Sequence, residues 1–383
     1  MATLLMVESW LHSTGECLPP IIRALGHRYL LFTRDPNLYP ARPGGAPHPV
    51  IGNADEIIQV DTNDDDAVSA AAFALTGRRP VDGVLTTCDY YLDTVALLAE
   101  RLGLPGAPPE VMRQATRKHL VRQAFWEITS GERNTRGQPR DRLVLLEELV
   151  HGRELSVEAV TQNGITTILG ITDKSIAGPP AFVESGHMFP AQLSACVARE
   201  VETFVRGALD AIGYSHGLSH TEVMLTSDGP RVVEINPRQA GGHIFDLIHL
   251  VAGTHPLELL VHLSLGHTPP IGTATAPLIT AHRRAASAAI FFVMSPQAGL
   301  VQGVEGTEGL DNDPDVLRWT IPLPAHAQRP RSNDAYLGHV LTVDPIGRAA
   351  RAKAEAAVGA LRLRLAGSEP VRPIGVPSGV PSG

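Results

Sequence analysis

The stretch from His220 to Arg238, HTEVMLTSDGPRVVEINPR, reads as two short strands joined by a tight turn through Ser227, Asp228, Gly229 and Pro230. Successive side chains of a strand point to opposite faces, so Glu234 and Asn236 share one face. An odd-length loop centred on Asp228 is expected to set Glu222 directly opposite Glu234, with Cβ atoms ~5 Å apart. Two facing carboxylates repel and destabilise a hairpin unless a positive charge sits between them. Glu222, Glu234 and Asn236 offer only oxygen ligands from a rigid support, which suits Mg²⁺ completing its octahedron with waters and nucleotide phosphates. The competing reading is a surface hairpin with solvated acids.

Further residues extend the pattern. Upstream lie Leu145-Leu-Glu147-Glu148-Leu-Val150-x-Gly152-x-Glu154-Leu-Ser156-Val-Glu158, then Thr172-Asp-Lys174, then Phe182-Val-Glu184-Ser-Gly186-His187-Met-Phe-Pro190. Downstream, Gly241-Gly242 follows Arg238. Earlier come Gly83-Val-Leu-Thr-Thr-Cys-Asp89-Tyr-Tyr-Leu and Leu102-Gly-Leu-Pro-Gly106. Taken in order, these motifs resemble the ATP-grasp carboxylate–amine ligases, in the branch of L-amino-acid ligases and carnosine synthases. The resemblance covers about residues 1 to 350.

The resemblance implies an α/β architecture around an α+β ATP-grasp core, divided as follows. Residues 1–110 form an N-terminal parallel α/β domain, 111–142 a helix plus a remnant of the small lobe, and 143–275 the large lobe with its nucleotide and metal site. A C-terminal α+β module (276–366) and a disordered tail (367–383) complete the chain. It also implies ATP with Mg²⁺ or Mn²⁺ as cofactors, small-molecule carboxylate and amine substrates such as amino acids, and, by analogy, a homodimer. Glu222, Glu234 and Asn236 become the metal ligands. Arg238 becomes the cation that stabilises an acyl phosphate and tetrahedral intermediate, unless a local acid pairs it. Lys118 would meet the nucleotide phosphates, Glu147, Glu148 and Val150 the adenine, and Glu154 the ribose or metal region. Lys174 would neutralise phosphate or substrate carboxylate, or else stand as a strand-end surface lysine. Glu184 and His187 would line the amino-acid pocket, with His187 in a catalytic role, while Gly241 and Gly242 let backbone approach the substrate.

Composition is that of a soluble globular protein. The 383 residues suffice for two or three packed modules, and 43% apolar with 19% charged residues excludes a disordered chain. A formal charge of −8 argues against nucleic acid or an acidic membrane surface as the main partner. Cys17, Cys88 and Cys196 are far apart and odd in number, which reads as free thiols in a reducing compartment. The apolar stretch Ala285 to Met294 is too short to span a bilayer, and Met1 leads directly into a strand-like Thr3–Val7. The expected location is the cytoplasm.

The first 110 residues alternate strand signals (Leu4–Val7, Tyr29–Phe32, Glu56–Val60, Gly83–Thr86) with helix signals (Cys17–Leu25, Asp65–Leu75, Leu92–Leu102). That alternation predicts a parallel sheet with helices on both faces. No G-x-G-x-x-G follows the first strand, so a dinucleotide fold is not indicated. Further on, helices are expected at Pro109–Phe125, Ala191–Ile212, His243–Ala252, Pro256–Leu265 and Ile346–Leu365. Strands are expected at Leu143–Glu147, Leu155–Thr161, Thr166–Asp173 and Ala289–Met294.

One departure from the family pattern stands out. Where the small lobe with its lysine and glycine-rich flap belongs, only the 17 residues Trp126 to Arg142 occur, and none is lysine. Such a lobe needs about 40 residues before loops are counted. Two functions therefore stay open: an ATP-dependent ligase, or a weak or inactive pseudo-ligase that binds an amino acid or a partner subunit.

Overall fold

The computed structural model describes residues 1–42, 44–113, 115–116, 138, 149–177, 183–271, 285–367 and 369–374. Lys118, Glu147, Glu148, the Leu143–Glu147 strand, the later part of the Pro109–Phe125 helix and nearly all of the Trp126–Arg142 interval lie outside the described residues.

At the N-terminus, β1 (Thr3–Val7), β2 (Arg28–Thr33), β3 (Glu56–Gln59) and β4 (Gly83–Leu85) form a parallel sheet in the order β3-β2-β1-β4. Alternation along β1 sends Leu4 and Met6 to one face and Leu5 and Val7 to the other. The first pair packs with Leu18 and Ile22 of the Thr14–Ala24 helix. The second packs with Val68, Ala72 and Leu98 of the Asp65–Thr76 and Leu92–Leu102 helices. The Asp65–Thr76 helix starts where the Asp64 carboxylate accepts from Asp66 N and Ala67 N, and the Leu92–Leu102 helix stops at Gly103 in the left-handed region. The Pro256–Ser264 helix, from far along the chain, lays Leu257 and Val261 on the first face and so fixes the N-terminal sheet to the remainder.

An eight-stranded antiparallel sheet carries the candidate site. Its members are β5 (Arg153–Gln162), β6 (Ile165–Ile176), β7 (Glu184–Phe189), β8 (Gly217–Thr226), β9 (Gly229–Asn236), β10 (Ser287–Val293), β12 (Val316–Thr320) and β14 (Gly338–Asp344). They run in the order β12-β14-β10-β7-β6-β5-β8-β9. One face is apolar: Leu155, Val157, Ile171 and Val223 pack against Val201, Val205 and Leu209 of the Ala195–Ala211 helix. Those three helical residues recur every four positions, and Ser194 caps the helix through Val197 N. The opposite face of β5, β6, β8 and β9 is polar.

A three-stranded sheet, β13 (Ala325–Ala327), β11 (Gly299–Glu305) and β15 (Arg362–Leu365), lies beside the C-terminal half. Here the expected Ile346–Leu365 helix is corrected. The helix spans Ala350–Ala360, and the chain then turns extended at Leu361. Leu361, Leu363 and Leu365 are all buried while Arg364 is exposed, a period of two that only a strand satisfies. Two apolar residues of the stretch read as a tail, Val371 and Ile374, make backbone bridges to Leu363 and Met294.

Among the described residues no single helix is long and apolar enough to cross a membrane.

Candidate active site

The β8–β9 hairpin places Glu222 opposite Glu234 and His220 opposite Asn236. The loop that does so is not the expected odd one. Thr226 pairs with Gly229, leaving a two-residue loop, Ser227–Asp228, and the register then slips by one between Glu222 and Val223. Val233 is the extra residue, so a β-bulge restores the pairing that an odd loop would have produced. Thr226 Oγ1 accepts from Asp228 N and donates to Gly229 O, which closes the loop tightly.

Registers across β6, β5, β8 and β9 align polar residues in rows: Thr172, Ser156, Glu222 and Glu234 in one, and Glu158, His220 and Asn236 in the next. The resulting face is largely buried. Its centre is Lys174, two residues before the end of β6 but with its side chain only 1% exposed, so it is not a surface lysine. Lys174 Nζ lies 2.6 Å from Glu184 Oε1, 2.9 Å from Glu222 Oε1 and 3.2 Å from Glu154 Oε1. Burial alone would lower the lysine's pKa, but the carboxylates of Glu184, Glu222 and Glu154 outweigh it and hold the ammonium above its usual value. Burial pushes the Glu222 and Glu184 carboxyls up, yet Lys174 more than offsets this and leaves both below the ordinary range, Glu222 strongly so. At Glu154 burial wins, and its pKa is raised.

A second chain of hydrogen bonds runs beside the lysine. Ser156 Oγ and Thr172 Oγ1 donate to the two oxygens of Glu158. His220 Nδ1 lies 2.8 Å from Glu158 Oε1, and its Nε2 lies 3.4 Å from Glu222 Oε1. Burial disfavours the imidazolium, but hydrogen bonds to Glu158 and Glu222 raise its pKa. Sequence reasoning assigned no role to His220 or Glu158. The available signal was their period-two spacing from Glu222 and Glu154.

At the other end, Glu184 Oε2 accepts from Asn333 Nδ2, and Tyr336 OH donates to Glu184 O. His187 is buried with neither ring nitrogen hydrogen-bonded; Nε2 stands 3.7 Å from Glu184 Oε2. Burial lowers its pKa to about 4, so the imidazole is neutral at pH 7. Gly242 has φ +56, and a Cβ there would meet His187 Nε2 at 2.5 Å, whereas a Cβ on Gly241 would meet nothing. Val150 is half-buried just ahead of β5.

Arg238 stands apart from this network. Its Nε pairs with Asp89 at the edge of the N-terminal domain, and NH1 donates to Gln239 O. Burial lowers and Asp89 raises its pKa, with a net rise. A cleft of about 430 Å³, which Arg238 does not line, opens beside its partner Asp89 and is bounded by Tyr90, Asp93, Thr116, Asn236 and Pro237. A larger, mainly apolar cavity of about 580 Å³ lies behind Arg238 against Ala96, Met112 and Leu260, away from the polar face.

Three family models match in order along the chain: the ATP-grasp N-terminal domain over residues 22–106, the ATP-grasp domain over 115–246 and the L-amino acid ligase C-terminal domain 2 over 291–366. The chain belongs to the ATP-grasp family. It is similar to chicken (Gallus gallus) carnosine synthase 1, with 34% identity over 137 residues, which are 35% of this chain and 14% of that protein. The match thus spans about a seventh of that relative's length. An uncharacterized protein of Sinorhizobium fredii is 23% identical over 338 residues, 73% of this chain and 68% of its own. Among solved structures, an L-amino acid ligase from Bacillus licheniformis has the same fold, with a TM-score of 0.72 and 18% identity over 95% of this chain and 99% of that one.

As an ion site, Glu222, Glu234 and Asn236 fit by donor chemistry. Their oxygens suit Mg²⁺, which retains water and takes phosphate oxygens. Asn236 Nδ2 lies 3.3 Å from Glu234 Oε2, so a cation would require the amide to turn its Oδ1 forward. Among the described residues no group of three or more His, Cys, Asp or Glu could hold a metal ion, and the candidate set here is two acids and one amide.

Proposed function

We propose that this ATP-grasp protein is an ATP-dependent carboxylate–amine ligase acting on an amino acid. The observation that carries the reading is the charge on one face of the sheet: Glu154, Glu158, Glu184, Glu222 and Glu234 against the single ammonium of Lys174. Such an excess of buried and half-buried negative charge favours an added cation at one end and a substrate ammonium at the other.

In the proposed reaction, a carboxylate oxygen of one substrate attacks the γ-phosphorus of ATP and ADP leaves. The amine of the second substrate then attacks the acyl-phosphate carbon and expels inorganic phosphate, leaving an amide or peptide. Glu222, Glu234 and Asn236 would hold Mg²⁺ or Mn²⁺, which when bound offsets phosphate charge. Glu184 and neutral His187 would accept hydrogen bonds from the amine. Arg238, oriented by Asp89, would stabilise the developing negative charge of the acyl phosphate and the tetrahedral intermediate. Lys118, Glu147, Glu148, Val150 and Glu154 would line the nucleotide, and Gly241 and Gly242 the substrate. A cytoplasmic homodimer is part of the same reading.

The test is calorimetric titration of ATP with Mg²⁺ into intact protein and Glu234→Ala, together with phosphate release in the presence of mixed amino acids. Loss of Mg²⁺-dependent heat in Glu234→Ala and amino-acid-dependent phosphate are expected; equal heats and no phosphate at high enzyme concentration would refute the ligase. A second reading, a pseudo-ligase that binds without catalysis, is favoured by the short, lysine-free interval Trp126–Arg142. Binding heats without phosphate release would support it.

A further inference from the structure

The resemblance gives Lys174 to the phosphates of ATP or to a substrate carboxylate, but its surroundings assign it other work. An ammonium group has three N–H donors and no acceptor. Here three carboxylates surround it at 2.6, 2.9 and 3.2 Å, each from a different strand: Glu184 on β7, Glu222 on β8 and Glu154 on β5. The side chain is 1% exposed. Swinging it toward a phosphate would leave three half-buried acids close together without their counter-charge, which is unfavourable.

Two of those acids have separate proposed duties. Glu222 belongs to the cation set on the β8–β9 hairpin, and Glu184 sits beside His187 at the amine end. Lys174 and His220 both approach the same oxygen of Glu222, Oε1. That arrangement fixes the carboxylate's rotation and leaves Oε2 for a ligand, as outer-sphere donors do around metal-binding carboxylates. Through its other contacts the same ammonium fixes Glu184, whose Oε2 is held in turn by Asn333.

We propose that Lys174 is a positioning residue that holds the cation-binding carboxylate Glu222 and the amine-binding carboxylate Glu184 in one rigid unit, and that it does not bind phosphate. The inference rests on the ligase reading, and its test separates the two. Mn²⁺ is titrated into wild type and Lys174→Met in the presence of a non-hydrolysable ATP analogue, with free Mn²⁺ followed by electron paramagnetic resonance. In parallel, phosphate release is measured against the concentration of an equimolar mixture of proteinogenic amino acids.

Lys174→Met should weaken Mn²⁺ binding about 10- to 100-fold, the usual range for losing an outer-sphere partner. It should also raise the half-saturating amino-acid concentration about tenfold or more, with nucleotide analogue affinity measured without metal unchanged. Loss of analogue affinity alone would mark a phosphate-binding lysine and overturn the proposal, as would movement of only one of the two coupled values. Lys174→Arg, which keeps the charge but replaces a three-cornered donor by a planar fork, carries the same test if the methionine variant does not fold. A wild type that binds no Mn²⁺ with the analogue would sink the ligase reading itself, and this proposal with it; a loss confined to the variants cannot be mistaken for that.

Discussion

Glu222 and Glu234 face each other across β8 and β9 because Val233 bulges out of the ladder, not because the loop has an odd number of residues. The loop itself depends on Gly229, whose φ of +102° is accessible to glycine and strained for other residues. A Cβ there would also approach Glu200 Oε1 at 3.1 Å. Gly229→Ala should therefore destabilise the protein by about 1–3 kcal/mol in urea unfolding. An alanine variant as stable as wild type would mean that the loop adopts another geometry.

Two adjacent glycines make a sharper comparison. Gly242 is left-handed and pressed against His187, whereas Gly241 has no neighbour within 4 Å of an added Cβ. Gly242→Ala should lower stability by about 1–3 kcal/mol and displace the His187 ring. Gly241→Ala should stay within about 0.5 kcal/mol of wild type. Matching thermal unfolding of the two variants would contradict the contact.

How much of this was legible in the sequence follows from range. Glu222, Glu234 and Asn236 lie within one hairpin: period-two alternation put Glu234 and Asn236 on one face, but the facing of Glu222 and Glu234 was expected from an odd loop, whereas the bulge at Val233, a matter of local register, produces it. The surroundings of Lys174 were not legible, because Glu154, Glu184 and Glu222 come from three strands whose order in the sheet is a tertiary fact. The N-terminal sheet was readable since each buried strand is a separate apolar run between amphipathic helices. β15 was missed because the alanine-rich helix before it runs into an Arg–Leu alternation that also fits a helix end.

Asp89 and Arg238 lie 149 positions apart, and no local pattern joins them. Their ion pair is mostly buried and ties the N-terminal domain to the end of β9. Removing one partner of such a pair leaves a buried charge, so Asp89→Asn should cost roughly 3 kcal/mol or more. Adding Arg238→Met should recover part of that loss. Strict additivity of the single variants in urea unfolding, within about 0.5 kcal/mol, would show that the two groups do not interact.

His187 gives the protein a defined acid sensitivity. Its imidazole has a folded pKa of about 4 against an unfolded value of 6.5. Between those limits the unfolded chain binds a proton that the folded chain refuses, so folding stability falls as pH drops from about 6.5 toward 4. The sign is opposite for His220, whose pKa is raised and whose contribution is present below its unfolded value. From pH 7 to pH 5 the His187 contribution amounts to about 2 kcal/mol, because each unit of displaced pKa is worth about 1.4 kcal/mol. His255, also held near 4 by burial, adds a loss of the same sign, so only a difference isolates His187. His187→Asn should lose about 2 kcal/mol less than wild type over that interval in urea unfolding at the two pH values. Equal losses would mean that the ring takes up a proton as readily in the folded chain as in the unfolded one, and hence that its burial does not hold it neutral.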